Sequence, residues 1–314
     1  MSSIEIDPNW FSDDAITDET RTFVAGFEAE IAGLPPTYKV PPETTRRARD
    51  EGRGVFPVMG PDDGSHWHEF EGGRLRISPG QAGRGVYLHV HGGGWTLGRP
   101  AHYDRLNQTL AAKTGLTVAS VEYRLAPENP WPACLEDCRT AAMHVIKERP
   151  FGEGPLFIGG ESAGGHLSSL LALELRGMIA GLCLNYGIYD LDLTPSAAQW
   201  GERQLVLSTP TIEWFVENLA MRAEARRAAS PLYAELSDLP PALFQVGTLD
   251  PLKDDSLMMA ARWAGAGNEA ELAVYPGGIH VMDAFDIEIA TQFHARQAAF
   301  LNRLIEGAAL PQPS

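Results

Sequence analysis

The chain has 314 residues, of which 44% are hydrophobic and 21% charged, and this composition is typical of a packed globular protein and excludes intrinsic disorder. It carries 25 Lys and Arg against 41 Asp and Glu, which gives a formal net charge of −16 at pH 7. That balance argues against nucleic acid and anionic membrane surfaces as partners, because both are bound through clustered basic side chains.

The N-terminal part of the sequence has a helical pattern. A first helical stretch is predicted over Asp18–Gly33, and Pro35 and Pro36 then break it. A second, shorter helical patch is predicted near Glu43–Asp50, before the pattern changes at about residue 54. We therefore expect residues 1–54 to form a segment outside the main fold.

From Val86 onward, short apolar runs alternate with helical patterns, which is typical of a mostly parallel sheet. Two earlier runs flank a Glu-Gly-Gly turn and predict a hairpin at the sheet edge. Candidate strands are Trp67–Phe70, Leu75–Ser78, Val86–His91, Thr117–Glu122, Leu156–Gly159, Ile179–Leu184, Leu243–Gly247 and Glu271–Tyr275. Candidate helices are Tyr103–Thr114, Cys134–Glu148, Ala163–Arg176, Asp254–Gly265 and Ile287–Ile305. The predicted fold class is α/β, with an eight-stranded, mostly parallel sheet flanked by helices.

A long insertion interrupts this alternation at Tyr189–Arg227 and contains an aromatic-rich helical stretch, Ile212–Leu219. Long insertions at the strand ends of such sheets often form lids, although plain packing against the sheet is the alternative. The predicted division is an N-terminal cap segment at 1–54, a cap insertion at 189–227, and a catalytic core made of 55–188 and 228–314.

The most informative motif is Gly160-Glu161-Ser162-Ala163-Gly164, which follows an apolar strand and precedes a helical pattern. A nucleophilic serine on a sharp strand-to-helix turn needs glycines two residues before and after it, because side chains there would clash. The helix N-terminus adds N–H groups suited to a developing negative charge. A phosphate-binding turn is the alternative interpretation of the same string.

A second glycine-rich loop follows the strand Val86–His91 and continues as Gly92-Gly93-Gly94-Trp95. It fits an oxyanion loop of the HGGG type, with the N–H groups of Gly92 and Gly93 as donors and Ala163 N–H as the third. His89 and His91 form a His-x-His pair that could instead bind a metal, but no further ligands at suitable spacing accompany them. His91 is therefore expected to brace the glycine loop through hydrogen bonds.

Two later strand ends carry an acid and a histidine. Asp250 follows one apolar strand, and His280 follows a strand and a Gly-Gly turn. An aspartate can hold an imidazole in the tautomer that accepts a proton from a serine, and the chain order serine, acid, histidine is that of α/β hydrolases. Asp254 and Asp255 compete with Asp250, although both look like helix-start residues.

Together with the stretch from Glu122 to Pro130, these motifs resemble the hormone-sensitive-lipase family of carboxylesterases, over about residues 85–305. The resemblance implies an α/β-hydrolase fold with a helical cap, and Ser162, Asp250 and His280 as the catalytic residues. It implies an oxyanion hole of Gly92, Gly93 and Ala163, and hydrolysis of short- to medium-chain acyl esters without a cofactor or metal. Aromatic residues expected to line the substrate pocket, or else to pack the cap, are Trp95, Trp200, Trp214 and Phe215.

The sequence departs from the family pattern near the site. Glu161 replaces the usual Asp before the serine, His166 stands where Asn is common, and Val281 and Met282 follow the histidine. These changes put the substrate preference in doubt more than the chemistry. The acidic net charge predicts that anionic substrates are poor, unless Arg or Lys side chains of the cap reach the pocket.

The sequence thus predicts a serine esterase acting on a small-molecule ester. The alternatives are an amidase or lactonase using the same triad, and a non-catalytic small-molecule receptor on the same scaffold. The N-terminus lacks a basic start and apolar run, no apolar stretch reaches the roughly 18 residues that span a bilayer, and three cysteines are too few for a disulfide framework. We therefore expect a cytoplasmic protein, and the edge strand Glu271–Tyr275 could pair two copies into a homodimer.

Overall fold

One eight-stranded sheet forms the centre of the computed structural model, which describes residues 4–54, 56–57 and 60–309. In chain order its strands are β1 His66–Phe70, β2 Gly73–Ser78, β3 Val86–Val90, β4 Thr117–Val121, β5 Leu156–Glu161, β6 Gly181–Asn185, β7 Ala242–Leu249 and β8 Ala270–Ile279. Their order across the sheet is β1-β2-β4-β3-β5-β6-β7-β8. The β1–β2 and β2–β4 pairs are antiparallel and all the others are parallel.

The central strands are buried along their whole length, which explains their continuous apolar runs. Ten α-helices occur in the described residues: α1 Asp18–Ile31, α2 Pro42–Asp50, α3 Asp104–Thr114, α4 Ala133–Glu148, α5 Ala163–Glu174, α6 Pro195–Gln199, α7 Thr209–Asn218, α8 Ala223–Arg226, α9 Lys253–Gly265 and α10 Glu288–Ala309. Helices α3, α4, α5 and α9 connect consecutive parallel strands, so the turns between strand ends and helix starts lie at one edge of the sheet. The predicted fold class is confirmed.

The predicted strands and helices are all present, with shifted ends. One shift affects the site: β8, predicted to end at Tyr275, continues to Ile279 with an irregular pairing between Gly247 and Leu249. The two strands approach so closely there that a Cβ on Gly247 would lie 2.0 Å from the carbonyl oxygen of Gly278. Because β8 extends to Ile279, His280 comes directly after the last residue of the strand.

The N-terminal segment and the insertion pack against the core and against each other. Phe23 and Phe27 of α1 lie with their ring centroids 4.9 and 5.3 Å from that of Phe285. Arg203 of the insertion pairs with Glu28 of α1 at 2.9 Å. The predicted boundary at residue 55 lies outside the described residues, as do residues 1–3 and 310–314. None of the described helices combines the length and the apolar character needed to span a bilayer.

Candidate active site

Ser162 sits on the tight turn between β5 and α5, with φ 57° and ψ −117°. Such a backbone is strained for a residue with a side chain, and it persists only where the surroundings enforce it. A Cβ on Gly160 or Gly164 would lie 2.0 or 1.9 Å from the Val90 carbonyl oxygen of β3. Only glycine therefore lets the turn pack against β3, which is the physical reason for the spacing around the serine.

The ends of β7 and β8 bring an acid and an imidazole to this turn. His280 Nε2 lies 2.9 Å from Ser162 Oγ, and His280 Nδ1 lies 2.8 Å from Asp250 Oδ2. Asp250 is fully buried and His280 is 2% exposed. With Nδ1–H donating to the carboxylate, the lone pair of Nε2 faces the serine hydroxyl, an arrangement suited to removing its proton.

Asp254 and Asp255, the alternatives to Asp250 as catalytic acid, form hydrogen bonds with the insertion. The Asp255 carboxylate accepts hydrogen bonds from two backbone N–H groups and from the Thr194 hydroxyl at 2.5 Å, all at the start of the insertion. Asp254 accepts the Ser196 N–H at 2.9 Å. Both carboxylates anchor the insertion, and of the three candidates only Asp250 contacts the imidazole.

The glycine loop is predicted to supply oxyanion donors from Gly92 and Gly93, and the structure shows what each N–H group in the loop contacts. The N–H of Gly92 donates to the Tyr103 hydroxyl at 3.1 Å, so it is already engaged within the protein. Within the described part of the chain, the N–H groups of Gly93, Gly94 and Ala163 have no acceptor, and both glycines line the cavity beside the serine. Gly94 N–H is therefore a further candidate donor beside the predicted Gly92, Gly93 and Ala163.

Glycine is required at position 94 for two reasons. Its φ of +59° lies in the left-handed region, and a Cβ there would lie 2.1 Å from the ring of Phe215. The ring of Phe215, on α7, is therefore packed directly against the glycine loop. Contact with this ring fixes the loop from the insertion side.

Of the four aromatic residues considered for the substrate pocket, Phe215 lines the cavity and the other three are used for packing. Trp95 is 1% exposed, and its Nε1–H donates to His166 Nδ1 at 3.3 Å. Trp214 packs against Phe215 with ring centroids 5.0 Å apart. Trp200 donates to a backbone carbonyl of its own insertion at 2.8 Å. A single sequence does not show which of these aromatic side chains points into the cavity and which packs elsewhere.

A buried polar group supports the turn from beneath. The Glu161 carboxylate, at the first departure from the family pattern, meets His89 Nε2 at 2.8 Å and accepts a hydrogen bond from Asn185 Nδ2 at 3.3 Å. His89 Nδ1 meets Ser120 Oγ at 2.7 Å. Both ring nitrogens of His89 therefore have protein partners, and its role is to hold Glu161.

His91, the second member of the His-x-His pair, braces the glycine loop. Its Nδ1 donates to the Gly92 carbonyl at 2.8 Å, and its ring stacks on Tyr123 with centroids 4.1 Å apart. Burial lowers the pKa of His91 to about 3, so the ring is neutral at ordinary pH. No group of three or more His, Cys, Asp or Glu in the described ranges has the arrangement of a metal site.

The serine opens into one cavity of about 330 Å³. Its walls come from the glycine loop, from the N-terminal segment and from the insertion, and they are mainly apolar. Its polar and charged lining includes Ser162, His280, Tyr103, Arg49 and Asp283. Sequence reasoning missed Tyr103 and Arg49, because no motif marks either position and only the docking of α2 and of the turn before α3 brings them there.

Three comparisons with known proteins bear on this arrangement. The family model described as alpha/beta hydrolase fold matches residues 87–284. The chain is similar to carboxylesterase NlhH of Mycobacterium tuberculosis, with 31% identity over 238 residues, covering 70% of this chain and 74% of the relative. It is also similar to ethyl acetate hydrolase of Pseudomonas putida, with 32% identity over 214 residues, covering 64% and 67%. Among solved structures, a hyperthermophilic esterase of the archaeon Pyrobaculum calidifontis aligns with TM-score 0.79 at 25% identity, covering 90% of this chain and 97% of that one.

Proposed function

The chain belongs to the α/β hydrolase fold family, with the motifs of its hormone-sensitive-lipase-like branch, and on that premise we propose that it is a serine carboxylesterase hydrolysing short- to medium-chain acyl esters. The observation that carries the proposal is the chain of contacts from Ser162 Oγ to His280 at 2.9 Å and from His280 to Asp250 at 2.8 Å. The relatives named carboxylesterase and ethyl acetate hydrolase support the same reaction class.

In the acylation step, His280 Nε2 takes the proton from Ser162 Oγ while the oxygen attacks the ester carbonyl. Asp250 holds the imidazole in the required tautomer and stabilises the imidazolium that forms. The imidazolium then gives its proton to the departing alcohol oxygen, which leaves an acyl-enzyme. In the second half of the reaction His280 deprotonates water, which attacks the acyl carbonyl and releases the carboxylic acid and free serine.

The negative charge that develops on the carbonyl oxygen needs donors that are fixed before the reaction. We assign this role to the N–H groups of Gly93, Gly94 and Ala163, because each belongs to the serine turn or to the cavity lining and has no internal acceptor among the described residues. Tyr103 acts as a positioning residue, since its hydroxyl holds the N–H of Gly92 and thereby fixes the start of the loop.

The acyl-chain preference follows from the cavity. A bounded volume of about 330 Å³ with mainly apolar walls suits short and medium chains better than a sixteen-carbon chain. A series of p-nitrophenyl esters from acetate through octanoate to palmitate tests this, with the expected optimum at short to medium length. A palmitate optimum with activation at a lipid interface would instead identify a lipase, and matched ester and amide substrates would separate an esterase from an amidase.

We also propose that residues 1–54 and 189–227 form a cap over a core made of 55–188 and 228–314. Arg46 of α2 supports this division, because its guanidinium donates to the carbonyl oxygens of Thr96 and Ala126 at 2.8 and 2.7 Å, just beyond the glycine loop. The ion pair between Arg203 and Glu28 ties the two cap segments together. The cap would therefore close the cavity as one unit.

Location and assembly belong to the same proposal. Cys134 and Cys138 are free, buried thiols on one helix, which fits a reducing cytoplasm.

Because β8 is an edge strand of the described sheet, its outer side is where two copies would pair into a homodimer. Size-exclusion chromatography with light scattering tests the pairing, and a monomeric mass at micromolar concentration would contradict it.

The direct test of the reaction is Ser162→Ala measured with p-nitrophenyl butyrate. We expect a loss of turnover on the order of 10⁶-fold, the size seen when a triad nucleophile is removed. The matched control is Ser168→Ala in helix α5, which follows the serine turn, because the Ser168 hydroxyl is buried without a hydrogen-bond partner in the described structure. Wild-type turnover in Ser162→Ala would refute the assignment.

A further inference from the structure

Arg49 brings a positive charge to the wall of the catalytic cavity. It lies in the last turn of α2, in the N-terminal segment, and it lines the same cavity as Ser162 and His280. The side chain is half-buried, and the guanidinium lies over the ring of Phe56 at 5.2 Å from its centroid. The charge is therefore held in place by an aromatic face and is presented to the space that receives the substrate.

No acid in the described residues neutralises this charge. The Arg49 side chain has neither a hydrogen bond nor an ion pair there, whereas the nearby Arg46 is paired with Glu128 at 2.8 Å. The adjacent acid, Asp50, is occupied by His102 at 2.9 Å and by Arg99 at 3.4 Å. Burial lowers the pKa of Arg49, which records the cost of removing the guanidinium from water.

An unpaired cation in a mainly apolar cavity is unusual, because buried charges normally have partners. Guanidinium remains protonated even when burial opposes its charge, so it cannot escape the cost by losing its proton. A ligand that carries a negative charge into the cavity would supply the missing partner. The planar fork of N–H groups matches a carboxylate in particular.

The other charges of the cavity favour a single negative charge on the ligand. Arg53 also lines the cavity but is paired with Glu51, so Arg49 provides one free cation among the described lining residues. The carboxyl of Asp283 already accepts the Tyr186 hydroxyl at 2.5 Å, and burial raises its pKa. The net charge of −16 repels more highly charged ligands such as phosphates.

We infer that Arg49 determines substrate specificity by binding a free carboxylate that the ester substrate carries away from its scissile bond. The substrate class is then an ester with a second, unesterified carboxylate, located either on the acyl chain, as in a dicarboxylic acid half-ester, or on the alcohol. This inference rests on the proposed esterase function. The acidic sequence predicts that anionic substrates are poor unless an Arg or Lys of the cap reaches the pocket. Arg49, in the N-terminal segment, lines that pocket.

The experiment compares the hydrolysis of charged esters with that of matched neutral esters. It has two arms, one with the carboxylate on the acyl chain and one with it on the alcohol. The acyl arm uses mono-p-nitrophenyl adipate and suberate, each beside the neutral p-nitrophenyl ester in which a methyl group replaces the carboxylate. The alcohol arm uses 4-carboxyphenyl butyrate beside the neutral compound in which its 4-carboxy group is a methyl ester. The values of kcat and KM are measured for wild type, Arg49→Gln, Arg49→Lys and the control Arg47→Gln, an exposed residue of α2 outside the cavity lining that changes the net charge equally.

We expect Arg49→Gln to lower kcat/KM about 10- to 100-fold for the charged ester of one arm, the loss that accompanies removal of a hydrogen bond between charged groups. The loss should be mainly in KM, the neutral partner should change by less than about threefold, and Arg49→Lys should restore part of the rate. Arg47→Gln should behave as wild type. Equal effects of Arg49→Gln on charged and neutral esters in both arms would overturn the inference and leave the esterase function intact.

A binding measurement separates the two possible failures. The mono-N-methylamide of adipic acid, which carries one free carboxylate and no ester, is titrated calorimetrically into the full-length wild type and into Arg49→Gln, which requires no turnover. At least a tenfold weaker binding to the variant supports the carboxylate site, and equal binding, or none to wild type, overturns it. Absence of hydrolysis of every ester by folded wild type would refute the proposed function instead.

Discussion

Replacing His166 by asparagine removes a buried imidazole that the folded protein holds neutral. His166 Nε2 donates to the Ala229 carbonyl at 2.8 Å, while Nδ1 accepts the Trp95 Nε1–H at 3.3 Å. A second proton on the ring would have to sit on Nδ1, where it would face the indole N–H, which can only donate. Burial accordingly lowers the pKa of His166 from 6.5 to about 4.

The sign of the pH effect follows from proton uptake. Below pH 6.5 the unfolded chain binds a proton at His166 that the folded chain binds only near pH 4. The free energy of unfolding therefore falls as the pH falls through this window. With these two pKa values, linkage gives a loss of about 2 kcal/mol between pH 8 and pH 5 from this one group.

The assay is urea unfolding of wild type and His166→Asn at pH 8, 7, 6 and 5, followed by circular dichroism. The substitution also removes the contacts of His166 with Trp95 and Ala229, so the readout is how the difference in unfolding free energy between the two proteins changes with pH. We expect it to shift by about 2 kcal/mol in favour of the variant at pH 5, because contributions common to both, such as that of His91, cancel. His66→Asn is the matched control, since that ring is exposed and should leave the pH dependence unchanged. Parallel curves for wild type and His166→Asn would refute the reasoning.

Three further predictions concern the catalytic geometry. Gly94→Ala should lower kcat about 10²- to 10³-fold with little loss of fold, because the new methyl group meets Phe215 and displaces an oxyanion donor, and steady-state kinetics with circular dichroism checks both parts. Asp250→Asn should lower kcat by about 10⁴-fold, since the amide favours the wrong tautomer of His280, and a loss under tenfold would contradict its role. Tyr103→Phe should lower kcat by about tenfold with KM nearly unchanged, because one hydrogen bond that holds the glycine loop is lost, and wild-type kcat would contradict it.

Local sequence signals predicted the sheet and most of the chemistry because both depend on short-range patterns. Continuous apolar runs mark strands that are buried on both faces, and glycines mark the turns that join them to helices. Ser162, Asp250 and His280 each come directly after the last residue of a parallel strand, so their convergence at one sheet edge follows from the parallel topology.

The remaining features depend on contacts between distant segments. Gly92 is removed from the set of free donors by the hydroxyl of Tyr103, eleven residues further on, and no local pattern signals that bond. Trp95 has the composition of a pocket residue, yet its indole turns toward His166. Arg49 reaches the cavity because of the way α2 docks against the loops that follow β3 and β4, which a single sequence does not reveal.

The central claim is that Ser162 becomes covalently acylated during ester hydrolysis. The most direct measurement is intact-protein mass spectrometry after rapid mixing with a slowly deacylating p-nitrophenyl ester, followed by peptide mapping. We expect a burst of one p-nitrophenol per chain, a single acyl mass increment on the peptide containing Ser162, and neither signal in Ser162→Ala. Turnover without any acylated protein, or acylation at another residue that persists in Ser162→Ala, would contradict it.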